Sequence, residues 1–335
     1  MEEKVGQFAE RYNLPIVEID DNRNYWLVRT NAGAYFEEFF VGKFIAIGWD
    51  ELTDFAKFKE KKKNDTITTE IENAYPDEQA GRIYGQIHRF LYEMQIGDVV
   101  MIPSENSTSI RFGIIKSEPT VRQVSETEID EGACPYVKKR EIEWIERVNR
   151  SELDPYLFKM MQSHQTISNA NDYAHFIDRT LHSFFTKNGK AYLVLPVKKR
   201  GNIPAYDLVK FVNSIVDLVP MVNNIKGINE EYNKEDLDLK LNVQSPGFTE
   251  FFSNAPQLIL GIGLLITVLT GSKFKGIVND KEHEAHFKGL LEDEFLEQID
   301  EFEKIKNSHI ETLAKVEADL PEELKNLLAE KKRED

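Results

Sequence analysis

One cysteine, Cys134, occurs among the 335 residues. A lone thiol permits no internal disulfide and excludes a multi-cysteine zinc site, and a reducing compartment is the simple expectation. Positive charge is in deficit: 42 Lys and Arg face 58 Asp and Glu, a net charge of −16. That argues against a general nucleic-acid coat held by phosphate neutralisation. The deficit is uneven, because residues 280–335 hold 18 acidic against 9 basic residues, which leaves room for local basic patches in the front of the chain. The opening Met-Glu-Glu-Lys-Val lacks the basic and apolar regions of a signal peptide. No G-x-S-x-G, H-E-x-x-H or Walker motif appears. Gly261-Ile-Gly263 sits among apolar residues and reads as packing.

What is present suits a folded chain of two or three domains: 41% hydrophobic and 11% aromatic residues at this length. Tyr25–Val28 and Phe44–Ile47 are short apolar runs bounded by turn formers and read as buried strands. Val99–Pro103 and Ile110–Ile115 read the same way, and Arg140–Ile145 alternates as a half-buried strand. Helical spacing marks Ala34–Phe40 and Asp77–Met94, while Lys57–Asp65 reads as a basic, solvated stretch. This pattern predicts a small, partly open β-barrel. Further on, Asn149–Asn188 reads helical, Ala191–Val197 as a strand, Tyr206–Leu218 as an amphipathic helix and Leu237–Val243 as an alternating strand. The fold class expected is α+β. The expected boundaries are a sensing barrel over 1–150, a mixed αβ and helical domain over 151–254, an apolar segment over 255–272 and an acidic amphipathic tail over 273–335.

The apolar segment is the unusual element. Twenty-two uncharged residues lie between Glu250 and Lys273, with a strictly apolar run of 13 at Leu258–Thr270. A spanning helix needs about 20 apolar residues, and runs of about 10–14 more often mark a buried or re-entrant segment. Both a membrane role and a core role are compatible with the pattern. Behind it, Phe295, Ile299, Phe302, Ile305, Leu313 and Val316 follow three-and-four spacing, which predicts a helix of coiled-coil type and assembly of like chains through it.

Catalytic constellations are hard to find. His283 and His286 share a helix face without a nearby third ligand, and Cys134 lies beside Pro135 with no evident general base. The chain reads as non-enzymatic, with no cofactor and no metal. The stronger signal is an order of motifs. Trp26-Leu-Val-Arg29 leads to Gly33-Ala-Tyr35, then to Ile47-Gly-Trp49-Asp-Glu, Gly97-Asp-Val-Val100, Phe112-Gly-Ile-Ile115 and Lys139-Arg-Glu-Ile-Glu-Trp144. This order resembles the PUA-like domain at the N-terminus of Mrr-type restriction proteins, related to EVE domains, over residues 22–165. The resemblance implies a barrel around a pocket, and it does not extend to the nuclease half of those proteins.

A base outside the stack is held by aromatic faces and by polar contacts to its edge. Trp26, Tyr35 and Trp49 are the candidate faces, Ser104, Asn106 and Ser107 the candidate polar edges, and Arg29 and Arg111 the candidate phosphate contacts. Each has a plainer role open to it: core packing for the tryptophans, an ion pair with Glu37 or Glu38 for Arg29, a hairpin loop for the serines. Two functions follow from the sequence, ahead of a third in which the chain is a scaffold that uses the barrel only for protein contacts. In the first, the barrel senses a nucleic-acid or nucleotide signal and the apolar helix acts at the inner membrane in phage defence. In the second, the chain is a cytoplasmic reader of modified DNA, the specificity subunit of a separate nuclease or other defence partner.

Overall fold

The structure is a computed structural model that describes residues 7–8, 11, 16–60, 63–197, 199, 201–242, 247–270, 290–296 and 302–318. Two compact units emerge, one formed by Asn22–Leu181 and one by Met1–Asp21 together with His182–Asp335. The strands in chain order are β1 (Val17–Glu18), β2 (Tyr25–Val28), β3 (Phe44–Ile47), β4 (Val99–Pro103), β5 (Ser109–Ile115) and β6 (Thr120–Val121). They continue with β7 (Lys138–Asn149), β8 (Ile167–Asn169), β9 (Phe184–Lys187), β10 (Lys190–Val197), β11 (Asp238–Asn242) and β12 (Gly247–Ser253).

In the 22–181 unit the sheet runs β3-β7-β5-β4-β2-β8, with β6 added beside β7. The path does not close, so the expected barrel is a curled half barrel. The long β7 makes the curl: Lys138–Glu141 pair with β3, while Ile142–Asn149 pair with β5 across an irregularity at Phe112/Gly113. Adjacent side chains on a strand face opposite sides, and this explains why β2 and β4 are apolar throughout. Trp26, Val28, Val100 and Ile102 enter one core, and Tyr25, Leu27, Val99 and Met101 enter another on the reverse face.

The boundaries differ from those read in the sequence. Residues 151–181, expected in a second domain, belong here: β8 pairs with β2, and Leu153, Leu157 and Ile177 fill the core on the reverse face. The continuous helix expected over 149–188 is therefore a series of short turns, the edge strand β8 and a helix at Ala174–Leu181. Pro155 and the polar run 162–166 interrupt helical continuation there.

A helix at Asp65–Ala74 follows directly on the stretch read as solvated, in residues to which the sequence reading assigns no element. The Asn64 side chain accepts the Ile67 N–H at 3.0 Å, and Ile67 and Ile71 are buried one turn apart. The next helix, Ala80–His88, widens into a π-helical turn at Arg89–Glu93. Its carbonyls are satisfied by Arg140, a residue with no solvent exposure, which donates to the oxygens of Phe90, Leu91 and Met94 and also of Ser117. Burial pushes that guanidinium down to about 10.

The other unit is built on the sheet β1-β9-β10-β12-β11, with β1 parallel to β9 and the remaining pairs antiparallel. Against it lies the helix Pro256–Thr270. Its 15 residues span about 22 Å, short of the roughly 30 Å of a bilayer interior. Every residue from Pro256 to Leu269 is buried, and Leu258, Ile262 and Leu265 pack with Leu193, Phe211 and Phe251. Among the described residues no helix is long and apolar enough to cross a membrane. Of the two roles the pattern leaves open, this helix takes the core role, and the membrane-acting function loses its effector.

The helix Phe302–Val316 packs on Ala205–Val216 and on the core helix. Leu313 and Val316 are spent in that core, so the apolar stripe that suggested assembly between chains is used within one chain. Ile299 and residues 319–335 of the expected tail lie outside the described residues.

Candidate functional site

Strand β3 ends at Ile47, and the chain then makes an abrupt turn through Gly48, Trp49 and Asp50. Trp49 adopts φ of 62°, the left-handed region that a bulky residue enters at a cost of about 1–2 kcal/mol. Its conformation is fixed from beneath. Lys138, the first residue of β7 and wholly buried, donates to the carbonyls of Gly48 at 3.1 Å and Trp49 at 2.7 Å. Desolvation pushes that ammonium down to about 8, against the pull of Asp50. Above this floor the Trp49 indole is half-buried against the core, with its N–H 3.2 Å from Glu78 Oε1.

Tyr136 approaches the same turn from the segment before β7. An added β-carbon on Gly48 would lie 3.1 Å from its ring, so the absence of a side chain there admits the tyrosine. The Tyr35 ring meets it edge-on with centroids 5.2 Å apart. Arg122 holds the 134–136 backbone by donating to the Tyr136 carbonyl at 2.7 Å and to that of Cys134, while stacking over Phe44. Glu38 accepts the Cys134 N–H at 2.6 Å, and Asp50 accepts the Val137 N–H at 2.8 Å. The Cys134 thiol is buried and pushed up to about 12 by desolvation. Burial likewise lifts Tyr136 to about 12 and raises Asp50 and Tyr75. Tyr75 closes the edge, its hydroxyl accepting the Glu51 N–H at 3.3 Å. The result is a set of half-buried aromatic rings beside the Asp50 carboxylate, on a backbone fixed by the buried Lys138 and the half-buried Arg122.

Of the residues singled out in the sequence, Tyr35 and Trp49 stand here. Trp26 does not: it is 2% exposed, and its indole N–H donates to Asp98 at 2.8 Å within the core. Arg29 pairs with neither Glu37 nor Glu38. Its guanidinium donates to the carbonyls of Met161 and Ser163, and burial lowers its pKa.

Arg111 lies 3.3 Å over the Phe40 ring and beside Glu37, which also engages the cross-strand neighbour Arg147. Burial lowers its pKa as well. Ser104 organises the turn before β5 by accepting the Ser109 N–H at 2.9 Å, and Asn106 and Ser107 take left-handed conformations in that turn. Among the described residues no hydrogen bond, ion pair or ring contact joins these four residues to the Trp49 turn. Sequence reading missed Tyr136, Asp50, Tyr75 and Lys138. The signal for Asp50 was its place directly after Ile47-Gly-Trp49. Tyr136 and Lys138 carried none, since they reach the turn through β7 pairing.

His283 and His286 lie outside the described residues, and among the described residues no group of three potential metal ligands occurs. A cleft of about 450 Å³ in the other unit is bordered by Asn223, Asn224 and Glu230. Two of its amides are engaged locally, Asn223 with the Tyr232 backbone and Asn224 with the Pro220 carbonyl.

Residues 24–171 match a family model described as a domain of unknown function, DUF8426. No curated protein matches the chain. Among solved structures, the Pho92 YTH domain in complex with m6A is similar over 50% of this chain and 88% of its own, at 14% identity and a TM-score of 0.27. Protein Atu2648 from Agrobacterium tumefaciens is similar over 46% of this chain and 91% of its own, at 12% identity and a TM-score of 0.21. Both are distant structural similarities.

Proposed function

We propose that the 22–181 unit binds a nucleic-acid base taken out of its stack, with the rings of Trp49, Tyr136 and Tyr35 as the aromatic surface. The observation that carries the reading is the left-handed conformation of Trp49, held by two hydrogen bonds from the buried Lys138. A bulky residue kept in a costly conformation by dedicated partners, with its ring left half-exposed, is how folds present a side chain to a ligand. The order of PUA-like motifs in the sequence supports the same reading. As its finer form, the unit distinguishes modified from unmodified bases and serves a separate nuclease as its specificity subunit.

Charge sets the mode of binding. Residues 22–181 hold 20 Lys and Arg against 26 Asp and Glu, so stacking and edge contacts carry the affinity and phosphate neutralisation contributes little. Titration calorimetry with short single-stranded oligonucleotides tests this. Binding is expected to weaken by about 5- to 150-fold in Trp49→Ala, the loss of one stacking contact worth about 1–3 kcal/mol. The dependence on salt is expected to be shallow. Pull-down on modified against unmodified duplexes tests the finer form, and equal, steeply salt-sensitive capture of both removes it.

A further inference from the structure

The feature of this site that the stacking surface does not use is the carboxylate of Asp50. It follows Trp49 directly and is half-buried. One oxygen, Oδ1, accepts the Val137 N–H. Among the described residues no donor reaches Oδ2, which is not sealed from solvent. Burial raises the Asp50 pKa, and the Val137 N–H, Lys138 and Arg122 oppose that rise by favouring the ionised form. The same carboxylate is close enough to Tyr75 and Tyr136 for its charge to act on both hydroxyls. An ionised carboxylate oxygen is acceptor-only, and one left open among aromatic rings is matched by an N–H of a stacked ligand.

Resting on the base-binding reading, we infer that Asp50 Oδ2 accepts a hydrogen bond from the exocyclic amino group of the bound base. The ligand class is then adenine, cytosine or guanine, including forms monomethylated on that nitrogen, which keep one N–H. Uracil and thymine present carbonyl oxygens where the amino group would lie. Lone pairs facing the carboxylate are repelled, and a polar group left unpaired against a desolvated partner is the strongest basis for rejecting a ligand.

The test is a calorimetric series on the full chain with adenosine, N6-methyladenosine, N6,N6-dimethyladenosine and uridine, each in the same trinucleotide context. Adenosine and N6-methyladenosine are expected to bind within about threefold of each other. The dimethyl form and uridine are expected to bind at least tenfold more weakly. Asp50→Asn keeps an oxygen for the Val137 N–H and places an amide N–H₂ at the open position. It is expected to erase or invert the preference, with thermal melting confirming that the variant folds. Equal binding of all four probes, lost in Trp49→Ala, would overturn the role of Asp50 while leaving the stacking surface standing. Binding of none of them would remove the base-binding reading itself. Discrimination that persists unchanged in Asp50→Asn would also overturn the inference.

Discussion

The Lys138 ammonium lies 2.7 Å from the Trp49 carbonyl oxygen, in a side chain with no solvent exposure. This one bond ties the start of β7 to the end of β3 and holds a tryptophan in a conformation it would not choose. The arrangement carries an electrostatic cost, because Lys138 is charged in a desolvated place.

That cost is measurable by pH. In the folded state the ammonium gives up its proton near pH 8, whereas in the unfolded chain it keeps it to about 10.5. Between those values the unfolded state binds more protons, so stability from this group rises as pH rises from 8 to 10.5. The full difference is roughly 3 kcal/mol. Lys138→Met is expected to remove this slope, read as the difference between variant and parent in urea midpoints at pH 7.5 and 10.5. Ligand binding is expected to fall in the same variant, because the Gly48 and Trp49 carbonyls lose their donor.

Gly48→Ala isolates Tyr136 from the rest of the site. The new β-carbon meets the ring at 3.1 Å, so the tyrosine must give by a few tenths of an ångström. Stability is expected to fall by about 1 kcal/mol, the lower end of the cost of overpacking. Oligonucleotide affinity is expected to fall by at least fivefold. Thermal melting and calorimetry on one preparation separate the two effects.

Legibility in the sequence followed the range of the interactions. β2, β3 and β4 were readable to the residue, because each is a short apolar run between turn formers and both its faces are buried. The Asp65–Ala74 helix was hidden by the lysines before it, although Asn64 followed by Ile67 and Ile71 carried its cap and its buried face. The apolar run at Leu258–Thr270 gave the right element and left its solvent open, since a core helix and a short membrane segment share one composition. Trp26 and Trp49 looked alike as sequence. What separates them is Asp98 beneath one and the positive φ of the other, and neither is a local property of the strand. Tyr136 and Lys138 became site residues through the register of β7 with β3, which pairing over some 90 residues decides.

Trp26→Phe is expected to cost about 1–3 kcal/mol and to leave oligonucleotide binding unchanged. The indole N–H donates to Asp98 Oδ2 at 2.8 Å, and Asp98 is 3% exposed. Removing that donor leaves a buried carboxylate less satisfied, although the backbone N–H groups of Asn24 and Gln95 remain on it. Equilibrium unfolding beside calorimetry checks both halves, and a loss of affinity at full stability would return Trp26 to the site.

The core role of the apolar helix is tested by Leu265→Ala and Gly261→Ala. Leu265 has no exposure, and truncating such a leucine costs about 2–5 kcal/mol. A β-carbon on Gly261 would fall 2.6 Å from a Val222 methyl carbon, so the enlargement is expected to destabilise by about 1–3 kcal/mol. A surface segment would tolerate both changes. Urea unfolding followed by circular dichroism distinguishes these outcomes.

His309 provides an acid-side test of the second unit. It is 5% exposed, its Nδ1 is buried without a hydrogen-bond partner, and desolvation pushes it down to about 4 against the opposing charge of Asp217. Around it, Thr312 bonds to the His309 carbonyl and to Ser214. In the unfolded chain the imidazole binds its proton below about pH 6.5, while in the folded state it stays neutral until about 4. Stability from this group is therefore present above pH 6.5 and is lost as pH falls towards 4, by roughly 3 kcal/mol in all. His309→Leu has no proton to bind in either state. Its urea midpoint is expected to change less than that of the parent between pH 7 and 4.5, and equal losses in the two proteins would show that other groups set the acid limit.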